Sequence, residues 1–139
     1  MSAFDDRLQL WLDTAVSIAA SLLEKNGEVY PVTLALKVDG TPLVCALDPP
    51  EGTDAVAYLD WVWPQLKTAA AAEGWQAVGV LHDASVERDG VMVDAFVGNV
   101  DDKDGAASVI VFYERDGDEV VLGDVFGEDR DNVTFGPPA

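Results

Sequence analysis

The chain has 139 residues, 49% of them apolar, with 26 acidic side chains against 8 basic ones and a net charge of −18. That length suits one domain burying about two-thirds of its surface, and the apolar fraction excludes a disordered acidic tail. No run reaches the 18 apolar residues of a membrane span, and the start at Met1–Asp6 lacks a signal peptide's basic and apolar regions.

Cys45 is the one cysteine, so no internal disulfide can form. Together these features predict a cytoplasmic protein. The acids are unevenly spread. Residues 1–70 carry 10 acids and 4 bases, residues 71–139 carry 16 and 4, and the segment 101–131 holds 11 acids against Lys103, Arg115 and Arg130. An even spread would put acids about 16 Å apart, twice the physiological Debye length, whereas this crowding lets potentials add. Nucleic acid and anionic membrane are excluded as partners, and a basic protein is favoured.

Phe4, Leu8, Trp11, Ala15, Ile18 or Ala19, and Leu22 recur every three or four residues and predict a first helix. Ser2 is placed to cap it, and Asn26-Gly27 to stop it. Alternation from Val32 to Val38, the turn Asp39-Gly40 and the return Leu43–Leu47 predict a hairpin. After the break at Asp48–Gly52, Thr53 or Asp54 starts a second helix. Gly74 ends that helix, and Pro64 predicts a kink or restart within it.

The remainder reads as two further hairpins. Trp75–Glu87 and Val91–Val97 flank Arg88-Asp89-Gly90, and Ser108–Glu114 and Glu119–Phe126 flank Arg115–Asp118, with Gly98–Gly105 as a loop between the pairs. Glu-Arg-Asp-Gly occurs at 87–90 and again at 114–117, which the hairpin preference for Asp-Gly explains without a duplication. The predicted fold is α+β, in the order α-β-β-α-β-β-β-β, with about six antiparallel strands in one sheet and both helices on one face. The domain spans 1–129, and 130–139 is read as a loosely ordered tail in which Pro137-Pro138 cannot join a ladder.

Clustered aspartates call first for a test of calcium spacing. With Gly105 at position 6 of a calcium loop, Asp102 and Asp104 fall correctly but Val100 and Val111 occupy the end positions. With Gly117 there, the ends are Phe112 and Gly123. Neither can ligate. One Cys and one His cannot build a zinc site either, and no phosphate-binding glycine loop occurs, so no metal and no cofactor is predicted. Cys45 with His82 is the one candidate nucleophilic pair, but Cys45 lies in an apolar strand and the chain is strongly acidic, against the electropositive setting of a reactive thiol.

Four large aromatics, Tyr58, Trp61, Trp63 and Trp75, fall within 18 residues and cannot all face inward from one helical face. Trp61 and Trp63 are therefore candidates for contact with a partner. In size, acidity and mixed element order the chain is similar to bacterial immunity proteins and secretion chaperones, a likeness of fold and charge that no motif carries. Chaperone order usually closes with a helix, for which this sequence gives no signal.

The expectation is a non-enzymatic acidic module of immunity, inhibitor or chaperone type that engages a basic protein surface. Its predicted contacts are Asp101, Asp102, Asp104, Glu114, Asp116, Asp118, Glu119, Asp124, Glu128, Asp129 and Asp131, with Trp61 and Trp63. The alternatives are a small ligand-binding domain or enzyme with a pocket between sheet and helices, and a domain that pairs with its own copy. Monomer and homodimer are both compatible with the sequence. Salt adaptation explains the acidity equally well.

Overall fold

The computed structural model describes residues 3–135. Helix α1 (Ala3–Asn26) is followed by β1 (Val32–Leu36) and β2 (Pro42–Val44), then α2 (Ala55–Glu73). Four long strands complete the fold: β3 (Ala77–Arg88), β4 (Val91–Asp102), β5 (Gly105–Asp116) and β6 (Glu119–Asp129). All six strands form one antiparallel sheet in the order β2-β1-β3-β4-β5-β6. The α+β class and the element order read from the sequence therefore hold.

Local chemistry explains the boundaries. Gly27 at φ 76° receives the chain as α1 ends, and its N–H donates to Leu23 O at 2.8 Å. The predicted Ser2 cap lies outside the described residues. Asp54 caps α2 by accepting from Ala57 N at 2.8 Å, and Gly74 closes it in the left-handed conformation at φ 67°. The helix runs through Pro64 without the restart that residue predicts. Asp89 and Gly90 both take positive φ, the two-residue turn that matches strand twist.

The helices lie on opposite faces, which corrects the expectation of both on one. Leu34 and Leu36 of β1 and Ala77 and Leu81 of β3 pack with α1 residues Trp11, Leu12, Ala15 and Leu23. Their strand neighbours Ala35, Val78 and Val80 pack instead with Tyr58, Val62, Leu66 and Ala70 of α2. The physical reason is visible in β1, whose five residues are all buried. A strand buried on both faces needs cover on both.

The predicted loop 98–105 is also corrected. β4 continues to Asp102 and β5 begins at Gly105, leaving a tight turn at Lys103-Asp104. Gly98 marks a close approach here, not a loop. A Cβ at Gly98 would meet the Trp11 ring at 3.0 Å, and one at Gly79, on the neighbouring strand, would meet it at 2.5 Å. Two glycines thus form a slot for Trp11, which is fully buried and donates its indole N–H to Leu34 O at 2.9 Å.

The segment predicted as a loose tail starts with ordered contacts. Arg130, Asn132, Val133 and Thr134 all make hydrogen bonds to side chains or backbone of the body, and Phe135 packs against the α2 cluster. The expectation is corrected for 130–135, while 136–139 lie outside the described residues.

The slot makes a prediction. Gly79→Ala forces the Trp11 ring or the Asn99 carbonyl, 2.8 Å from the new Cβ, to move. It should lower stability by about 2–3 kcal/mol, as overpacking does. Gly98→Ala meets flexible Leu81 Cδ1 as well as the ring edge and should cost less. Urea unfolding midpoints of the two variants, at unchanged slope, check the ranking.

Candidate functional site

The acids of segment 101–131 do not converge on one surface. Asp101 and Asp102, at the end of β4, are 0% and 1% exposed. As adjacent strand residues they point to opposite faces. Asp102 faces α1, where Arg7 grips it through Nε at 2.7 Å and Nη2 at 2.8 Å, with Gln76 Nε2 and Asp104 N each at 2.9 Å. Asp101 faces α2 and accepts from Arg130 Nη1, from Val133 N at 3.2 Å and from Thr134 N at 3.0 Å. Arg130 in turn lies over the Trp63 ring, 4.8 Å from its centre. Both aspartates are internal fasteners, which corrects their expected place on a contact surface.

The other acids divide between two ends. Glu114, Asp116, Asp118 and Glu119 are exposed around the β5–β6 turn. Glu128, Asp129 and Asp131 are exposed at the other end of β6, near Asp104, which also pairs with Arg7 at 2.7 Å. Ten residues of strand separate Glu119 from Asp129, roughly 33 Å at the rise of a β-strand. That is about four Debye lengths, so the two groups act as separate charges. Between them Asp124 pairs with Arg88 at 2.5 Å, and Arg88 stacks over Phe112 and Phe126 at 4.6 and 5.4 Å.

The stretch between the acidic ends carries what the sequence reading missed. Val121, Leu122, Val125 and Phe126 are each about half exposed, at 49, 49, 54 and 52%. Register assigns Leu122 and Val125 to the α1 face, opposite Tyr113 and Val111, and Val121 and Phe126 to the other, opposite Glu114 and Ile110. Of the eleven residues of β6, ten are exposed and only Val120 is half-buried. The signal was legible. A run of apolar residues without alternation marks a strand with two apolar faces, which is ordinarily a central strand.

On the α1 face this strand borders a groove. Two contiguous hollows of about 400 and 560 Å³ share Gln9, Leu12, Asp13 and Val125. The groove closes where Glu24, in the last turn of α1, accepts a 2.8 Å hydrogen bond from Val120 N.

Trp61 and Trp63 are half-buried against the α2 cluster. Trp61 tilts against Tyr58 with ring centres 5.7 Å apart, and Tyr58 O–H and Thr33 O–H share a 2.6 Å hydrogen bond. Neither tryptophan borders the β6 groove.

Cys45 and His82 do not form a dyad. Cys45 N donates to Thr33 O, and Thr33 pairs with Val80, two residues before His82. Two strand spacings and two residues of rise put the pair roughly 12 Å apart. Burial pushes the Cys45 thiol up to about 11, the opposite of activation. No group of three or more His, Cys, Asp or Glu side chains among the described residues is placed to hold a metal ion. No described helix is long and apolar enough to cross a membrane.

Compared with protein-family models, with curated proteins and with solved structures, the chain matches none.

Two predictions follow from these side chains. Arg7→Ala leaves Asp102 buried without its cation and should cost about 3–5 kcal/mol, which lowers the melting temperature by roughly 10 °C. The double variant Arg7→Ala/Asp102→Ala should lose less than the two single variants summed, since it removes the stranded charge. Thermal melts of the three variants check this.

The second prediction concerns alkaline pH. The thiol of Cys45 and the hydroxyls of Tyr58 and Tyr113 all hold their protons more tightly folded than unfolded, chiefly through burial. The folded state therefore binds more protons above the ordinary thiol range, and stability should fall as pH rises from about 9 through about 11. Urea midpoints between pH 8 and 11 test it, and the native thiol should label far more slowly at pH 8 than the unfolded one.

Proposed function

We propose that the protein is a non-catalytic acidic binding module that docks a basic protein along its β6 flank. What supports this reading is the state of β6, exposed in ten of its eleven residues and open along its edge beyond the Val120 N–H that Glu24 takes. Six strands at about 4.8 Å spacing make a sheet about 24 Å wide between its outer strands, while a helix covers about 10 Å. One helix per face cannot cover the whole sheet: α2 packs over β1 and β3, and the α1 cluster extends across β4 and β5 but takes only Val120 from β6. At the opposite edge β2 is only three residues long and runs into Pro49-Pro50, the usual protection of an edge. β6 has eleven residues and four half-exposed apolar side chains.

Charge selects among occupants. β6 carries Glu119, Asp124, Glu128 and Asp129 and no Lys or Arg. A second copy would bring like charges together, whereas a basic surface meets complementary ones. An apolar middle with acidic ends suits a partner whose apolar residues are flanked by lysines or arginines. Such a surface would suit an inhibitor, immunity or chaperone role.

The test is capture from the source lysate, with a variant that blocks the flank. Leu122→Lys/Val125→Lys replaces exposed residues and should keep the fold, as far-UV circular dichroism reports. Wild-type protein should capture a basic protein at low salt and release most of it at high salt, and the variant should capture roughly tenfold less. Val38→Lys/Val44→Lys makes the same charge change near the β2 edge and should capture as wild type does. Capture indifferent to salt, or equal loss from both variants, would overturn the reading.

A further inference from the structure

Building on the proposed docking of a basic protein at β6, we infer that the wedge between α1 and β6 takes an extended, lysine- or arginine-bearing segment of the partner as a seventh strand. The backbone argument starts from Arg130, whose N–H donates to Ala106 O at 3.4 Å in the register that pairs Ala107 with Asp129. Antiparallel pairs alternate between bonded and unbonded positions, so the pairs Ser108–Glu128 and Ile110–Phe126 are bonded. The backbone groups of Val125, Gly127 and Asp129 then turn outward from the sheet.

Beyond the register shift that falls between Val111 and Tyr113, the outward N–H at Val120 is already taken by Glu24. The edge is thus closed at its Val120 end and open over five residues, Val125 to Asp129, about 17 Å of ladder.

Side chains favour the same occupant. A strand added there would send alternate side chains into the groove, over Leu12 and Val125. Asp6 and Asp13 line the groove from α1, and no Lys or Arg among the described residues lines either hollow. Apolar side chains that alternate with basic ones would meet apolar floor and acidic rim together. Gly127 keeps the floor open. A Cβ built on it meets nothing nearer than Ser108 O at 3.8 Å, so packing does not demand glycine here.

The probe is a capped nine-residue peptide of alternating lysine and valine, titrated into the full chain and followed by anisotropy and amide hydrogen exchange. The alternating peptide should bind and slow exchange at Val125, Gly127 and Asp129 while leaving Val120 unchanged. A version with alternate backbone amides methylated should bind at least roughly tenfold more weakly. Gly127→Val, which fills the wedge from within, should bind at least roughly tenfold more weakly with an undiminished melting temperature.

Binding without slowed exchange, or equal binding by the methylated peptide, would overturn strand addition and leave the acidic module standing. Failure of the peptide to bind, while Leu122→Lys/Val125→Lys still loses the captured protein, would do the same. Failure of both would overturn both.

Discussion

The position of α1 depends on one fit, the Trp11 indole in a slot between Gly79 and Gly98. The two glycines are diagonal neighbours on β3 and β4, Gly79 paired with Val100 and Gly98 with Leu81, and together they bring the sheet within reach of the ring. The ring is fully buried and tied to Leu34 O, so the helix axis is held over β3 and β4. From there α1 reaches Gly105 through Phe4 at one end and Val120 through Glu24 at the other. A helix so pinned cannot also cover the far half of β6. On the opposite face the Tyr58–Thr33 hydrogen bond holds α2 over β1, even further from that edge. The bare flank of β6 is a consequence of where the two helices are fastened.

Two buried aspartates make the second fastening. Because Asp101 and Asp102 are neighbours in a strand, one pleat serves both faces. Asp102 holds the start of α1 through Arg7, and Asp101 holds the segment from Arg130 to Thr134 against α2. The Arg7 guanidinium keeps its proton more firmly for this, mainly through its hydrogen bond to Asp102. Replacement of such pairs by apolar residues is often neutral, so their value lies in fixing geometry more than in net stability. A chain with only 8 bases spends two of them here, which concentrates the unpaired negative charge on the outside.

Most of the fold was legible because local signals agreed. The stripe of α1, the Asp54 and Gly74 caps, and the Asp-Gly turns each have one structural meaning. What failed were readings that needed knowledge of cover. Gly98 looked like a loop because the ring that needs it lies 87 residues away in sequence, and the faces of the helices were misassigned because β1 is too short for its alternation to show burial on both sides. At the site, acid counts along the sequence could not reveal that Asp101 and Asp102 point inward, or that the rest divide between two ends of one strand. The apolar run Val120–Leu122 with Val125-Phe126 was visible, but only an edge position turns it from core into surface.

Acid on an edge strand is commonly a guard against pairing, and β6 carries both acid and a bulge. A guard of one sign is selective. It repels a copy of the same edge, whose four acids would lie against its own, yet it attracts an edge of opposite charge. The Glu24 cap at Val120 shortens the open ladder to five residues, and that limits what pairing alone can hold. A stable interface of ordinary size engages roughly 20–30 residues on each side. A five-residue ladder with an apolar groove beside it therefore favours recognition that forms quickly under electrostatic steering and releases as salt screens it. A module built this way would hold a basic segment reversibly.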